Sequence, residues 1–247
     1  MKKILLILTT VFLLGCNSEN APDCFQSAGD IIQQDIEVDL FTKILVYQNV
    51  ELFVEQGLTQ KVVLETGENL LNDTQVYVEN GQLILKDNNG CNLTRDYGVT
   101  KVYVTTPNLT EIRNSSAFDV NSIGMLNFPE LRLLSEDYTV DYYNVGNFKL
   151  EVNCTNLAVV INNVTTNIIS GTTENLNINH ASGDGRFEGR NLIAQNVRIY
   201  HRGSNDIIVN PQVSLIANLV STGDVIAVNT PSTVTKSELF DGRVIFE

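Results

Sequence analysis

Few residues in this chain could do chemistry. Its two histidines are His180, in Asn179-His180-Ala181-Ser182-Gly183, and His201, in Tyr200-His201-Arg202-Gly203-Ser204. They stand 21 residues apart in matching local sequence. If each stretch is one rung of a stacked β-structure, the imidazoles lie one strand spacing apart, about 4.8 Å. At that separation they could share a metal or titrate as a coupled pair. The plain alternative is a solvent-facing ladder at a turn. Asp184, Asp206 and Asp224 recur at Gly-rich turns and could hold Ca2+ together with backbone carbonyls. The full nonapeptide repeat of calcium-binding β-rolls is missing, so turn capping is the favoured role, and no cofactor is expected.

Ser135-Glu136-Asp137-Tyr138 and Asp141-Tyr142-Tyr143 form an acidic, Tyr-rich stretch. Tyr138, Asp141, Tyr142 and Tyr143 are the best ligand-facing candidates, because Tyr offers rigid contact area with a polar tip. The bland reading is alternate tyrosines packing on a sheet face. Paired carboxylates on a β-helix groove could hydrolyse or lyse a glycan, but 29 acidic residues make chance pairs certain. The chain has no G-x-S-x-G elbow, phosphate loop, H-E-x-x-H or dinucleotide fingerprint. The expectation is a protein that is not an enzyme, with a glycan-processing enzyme as the rival.

Composition narrows the partners. The 247 residues are 43% hydrophobic and carry a net charge of −13. Such a field repels a polyanion, so nucleic acid is excluded as a partner. Trp is absent, which argues mildly against a sugar-stacking lectin.

The chain starts with Met1-Lys2-Lys3 and an apolar run from Ile4 to Leu14. The run is too short to span a bilayer and reads as a secretory signal. Leu13-Leu14-Gly15-Cys16 looks like a bacterial lipobox: residues 1–15 as signal peptide, Cys16 as the lipidated thiol, residues 16–24 as a polar tether. Leu14 departs from the small or β-branched residue usual at its position. Acyl chains on Cys16 would hold the protein on a membrane leaflet of the cell envelope, with the outer membrane expected and its face toward periplasm or surface left open. Export permits a disulfide. Cys24–Cys91 is the favoured pair, since both lie in polar, turn-rich sequence, whereas Cys154 sits in an alternating run and reads as buried and inert.

Positioning falls to short strands. Alternating runs such as Lys61-Val62-Val63-Leu64-Glu65 and Gln75-Val76-Tyr77-Val78-Glu79 recur, and Asn80-Gly81 is a two-residue hairpin signal. From residue 109 short apolar runs return every 18 to 26 residues or so, within the window of a solenoid. Ser182-Gly183-Asp184-Gly185, Arg202-Gly203-Ser204-Asn205-Asp206 and Ser221-Thr222-Gly223-Asp224 are related turns. Ser27-Ala28-Gly29-Asp30-Ile31-Ile32 resembles the last of them. The 29 asparagines suit stacked turns with amide ladders. The expected fold is all-β: a right-handed β-helix-like solenoid, with a β-sandwich as the alternative.

Phe41-Thr42-Lys43-Ile44, Val50 to Gly57 and Val62 to Leu71 resemble the opening of the head GIN domain lipoproteins, described as auto-transporter adhesins of Bacteroidetes envelopes. Val78 to Leu83, Val102-Tyr103-Val104-Thr105-Thr106-Pro107 and Phe240-Asp241-Gly242-Arg243-Val244-Ile245-Phe246 continue the likeness, although Asp241-Gly242-Arg243 has one glycine where relatives carry two. The resemblance covers about residues 25–247 and implies one exported β-helical domain over that range. The expected function is a non-catalytic, lipid-anchored adhesin or ligand-binding module. Its partner would be a polysaccharide or an envelope or host surface protein. A structural envelope protein that self-associates through a solenoid end is the second rival.

Overall fold

The computed structural model describes residues 23–93, 95–136 and 144–247. The expected leader with Cys16, and the surface around Tyr138, Asp141, Tyr142 and Tyr143, lie outside them.

A short 3-10 turn (Asp23–Phe25) precedes β1 (Ile31–Ile36), β2 (Lys43–Gln48), β3 (Glu51–Gln56), β4 (Lys61–Gly67), β5 (Thr74–Glu79), β6 (Gln82–Asp87) and β7 (Lys101–Thr106). Next come β8 (Glu111–Ser116), β9 (Val120–Leu126) and β10 (Glu130–Glu136). Four long strands follow, β11 (Phe148–Asn162), β12 (Thr166–Ser182), β13 (Arg186–His201) and β14 (Ile207–Leu219). Then come β15 (Val225–Ala227), β16 (Thr233–Glu238) and β17 (Val244–Phe246).

The strands stack in parallel into two faces. Face A runs β6, β2, β8, β10, the second halves of β11 to β14, and β16. Face B runs β7, β3, β9, the first halves of β11 to β14, β15 and β17. Each long strand bends from face B into the face A of the next rung, which joins everything into one 17-stranded sheet. Leu157 pairs with Leu176 and Leu176 with Val197, so one rung takes 19 or 21 residues here. This parallel stacking is the solenoid expected from the spacing; a sandwich would pair its strands antiparallel.

The stacking follows from alternation. In β11 buried and open positions alternate along Phe148 to Cys154. One rung offers only a few apolar side chains and cannot shield them alone. Stacked, they form continuous columns, Leu157–Leu176–Val197–Leu215 and Val159–Ile178–Ile199–Ala217, all buried.

The stacking reaches well before residue 109, where the short apolar runs begin to recur: β2 inserts between β6 and β8, so early strands form rungs too. One feature of the first half differs from the expectation: the segment after Ser27 is not a rung corner. Ile31–Ile36 pairs antiparallel with β4, which pairs antiparallel with β7. Together with β5, antiparallel to β6 through the Asn80-Gly81 turn (φ 51° and 73°), these strands cover one end of the stack. Cys24 and Cys91 are joined by a disulfide there. Arg95 donates to the carbonyls of Gln26, Asn89 and Cys91 at 3.2, 2.9 and 3.0 Å, tying the same loops.

Candidate functional site

His180 and His201 pair in register on face A, their rings stacked with centroids 4.9 Å apart and planes 17° from parallel. Both are buried, so the solvent-facing ladder is not what forms. They continue an inward column, Ile161–His180–His201–Leu219. Burial, then the neighbouring His201, holds the His180 imidazole down to about pH 4, and burial lowers His201 as well. Both rings are therefore neutral at pH 7. The Nδ1 of His201 accepts the Gly203 N–H at 3.3 Å, which leaves the proton on Nε2. Stacked face to face, the two rings aim their nitrogens alongside each other rather than at one point between them. Among the described residues no group of three His, Cys, Asp or Glu side chains could hold a metal ion.

The corner glycines beside this pair serve for space. Gly183 has φ 95°, a conformation glycine favours. Gly203 and Gly223 do not, but a Cβ on Gly203 would collide with the His180 ring and one on Gly223 with His201. The Asp residues of these corners tie one rung to the next. Asp184 accepts from the Ser204 hydroxyl at 2.8 Å, Asp206 meets Arg186 at 3.2 Å, and Asp224 accepts the Arg243 N–H at 2.7 Å. All three bonds join residues of neighbouring rungs, 19 or 20 positions apart. Cys154 is buried, its thiol pushed up to about 12 chiefly by burial, which makes it a poor nucleophile.

The opposite corner, where face B turns into face A, is open. A shallow groove of about 470 Å³ runs along it from rung to rung. Asn153 and Thr172 are on one wall, Thr155 and Gln195 on the other, and Cys154 and Thr173 in the floor. Glu174 is the one charged side chain lining it among the described residues. Side chains along this corner bond to each other across rungs. Thr172 donates to Asn153 (2.9 Å), Asn153 to Asn127 (3.0 Å) and Asn127 to Gln56 (3.0 Å). A second ladder lies at the start of face A. Ser214 donates to Asn196 (2.8 Å), Asn196 to Asn175 (3.3 Å), Asn175 to Asn156 (2.9 Å) and Asn156 to Glu130 (2.5 Å). The high Asn content pointed to ladders in general; which asparagines meet depends on the register of the stack.

The neighbouring positions of face A add little charge. Asn177 and Asn179 of β12, Tyr200 of β13 and Ile216 of β14 face solvent, with Arg198 as the cation among them. In a protein of net charge −13, this is a flat, hydrogen-bonding and nearly neutral surface.

Residues 40–231 match the family described as "Putative auto-transporter adhesin, head GIN domain". Among solved structures the chain is similar to a "putative adhesin" from Bacteroides fragilis, with 22% identity, a TM-score of 0.79, and coverage of 90% of this chain and 99% of the other. A "putative adhesin" from Parabacteroides distasonis matches at 15% identity and TM-score 0.66, covering 90% and 99%. A "putative lipid binding protein" from the same species matches at 17% identity and TM-score 0.64, covering 89% and 97%. At these identities the likeness is one of fold. No curated protein sequence matches the chain.

Proposed function

The chain belongs to the head GIN domain family, and from that premise we propose that it is a non-catalytic recognition module of the bacterial cell envelope, an adhesin in the broad sense. One observation carries the reading: hydrogen-bonded side-chain ladders run across successive rungs on the open corner and face A. Such an array presents repeated, pre-ordered polar groups over a long surface instead of converging them on one point. That suits recognition of an extended partner, whereas catalysis needs groups aimed at one reacting atom.

Lipidation at Cys16 would keep this surface at a membrane, with residues 16–24 as tether and residues 25–247 as the single recognition domain. Among the described residues no helix is long and apolar enough to cross a membrane, so the acyl chains would be the attachment. The reading is tested by fatty-acid labelling and protease treatment of intact cells. Wild-type protein should incorporate the label and be digested on intact cells. Cys16→Ala should lose the label and leave the membrane fraction. Protection of the wild type until lysis would remove the adhesive role and leave a periplasmic one.

A further inference from the structure

The open corner carries a more specific reading, which rests on the recognition role proposed above. An Asn side chain has two N–H donors and two oxygen lone pairs. Within its ladder Asn153 uses one of each, donating to Asn127 and accepting from Thr172. One N–H and one lone pair remain. Asn156, Asn175 and Asn196 are in the same state along the second ladder. The flank thus offers one free donor and one free acceptor on each of three rungs, at the strand spacing of about 4.8 Å, and Asn153 adds one such pair in the groove. Each amide is already held in place by its neighbours, so little side-chain freedom is lost on binding.

We propose that the groove binds a neutral, hydroxyl-rich polymer, a polysaccharide chain lying parallel to the solenoid axis with one sugar ring per rung. The dimensions favour this over a peptide. An extended peptide advances about 3.3 Å per residue and repeats a side-chain direction every two residues, so it falls out of step with the rungs at once. A linked pyranose ring advances by nearly one rung. A hydroxyl both donates and accepts, which matches the pair of free groups on each amide. An acyl chain would need an apolar lining, and Pro129 and Ile193 are the clearly apolar side chains in the groove. An anionic polymer would meet the net charge of −13 and Glu174.

The test uses the full-length protein carrying Cys16→Ala, which has no acyl chain to enter a bilayer, and size-defined oligomers of neutral glucan, mannan and galactan, with polygalacturonate and phosphatidylcholine vesicles as the alternatives. Affinity for at least one neutral series should rise with length through about four rings. It should then level off, because the groove's column of Asn127, Asn153, Thr172 and Ile193 spans four rungs. The double variant Asn153→Ala/Asn175→Ala should bind about tenfold more weakly, the effect of losing roughly two neutral hydrogen bonds. Asn177→Ala, outside the groove, should bind as the wild type does. Circular dichroism checks that each variant is folded. Affinity independent of length, a preference for polygalacturonate or vesicles, or an unaffected double variant would each overturn the proposal. Attachment of protein-coated beads to intact cells separates the two readings. Attachment that neutral oligomers fail to compete removes the polysaccharide but keeps the recognition role; no attachment to any cell type removes both.

Discussion

The two ends of the solenoid are finished in different ways. At the β6–β7 end, antiparallel strands β1, β4 and β5 prolong the two faces, locked by the Cys24–Cys91 disulfide and by Arg95. At the other end no strand is added among the described residues: β16 pairs with β14 and β17 with β15. Instead the inward columns change character. Register places Val234 over Leu215, Lys236 over Ala217 and Glu238 over Leu219. Lys236 Nζ lies 2.9 Å from the Glu238 carboxylate, which also accepts the Val244 N–H at 2.8 Å. A charge pair laid over an apolar core is an inward-pointing charge of the kind that discourages edge pairing. One end is closed by added chain; the other is made a poor platform for another rung. The second device argues against self-association through this end.

Breaking the covered end should have the largest effect. The disulfide closes a loop with a sequence separation of 67, for which loop entropy predicts a loss of about 4 kcal/mol in Cys24→Ser/Cys91→Ser. Hydrogen exchange should show protection lost first in residues 24–91 and kept in β12 to β14. A uniform loss would mean that the two ends are not energetically distinct.

Acid should act next, on the regular part. A histidine held neutral by burial has a folded pKa below its unfolded one. The unfolded state then binds the extra proton, so stability is full above pH 6.5 and falls as pH drops toward 4. For His180, held to about pH 4, the loss is on the order of 3 kcal/mol. In both rings burial outweighs the opposing pull of nearby carboxylates, Asp184 at His180 and Asp206 and Asp224 at His201. His180→Leu, in a column with Ile161, should flatten the acid limb of the melting temperature; an unchanged limb would locate the proton uptake elsewhere.

Gly203→Ala should cost about 2 kcal/mol by overpacking against the His180 ring. Part of that should return in the double variant with His180→Ala, measured as a coupling energy in urea unfolding. The smallest change in stability belongs to Lys236→Val/Glu238→Val, whose pair is partly exposed. Its readout is association: sedimentation velocity should show concentration-dependent dimers absent from the wild type. A variant that stays monomeric would show that the charge pair is not what keeps this end apart.

The fold was readable because alternation is local: apolar residues at every second position and turns at near-rung intervals require nothing beyond the strand itself. The histidines could have been placed by the same rule. Leu176, Ile178 and His180 share one phase, as do Val197, Ile199 and His201, so the inward direction was already written in the spacing. The groove was not readable. Its wall joins Asn127, Asn153 and Thr172, which are 26 and 19 residues apart. Register shifts at Ile161/Asn162 and Ile168/Gly171 change the repeat length from rung to rung. Without the register, no constant period picks those three residues from 29 asparagines and the threonines around them. The antiparallel cover was likewise hidden, since Ser27 to Ile32 mimics a corner and only its partner strand reveals its direction.

The disulfide has a mechanical consequence. Tension applied to the chain before Cys24 does not have to travel through the next sixty-odd residues to reach Cys91, because a covalent bond already links the two positions. Those residues cannot lengthen under load while the bond is intact. A pull from that side is delivered directly to the loop between β6 and β7, at the covered end of the stack, and the first rungs to feel it are those packed beneath that cover.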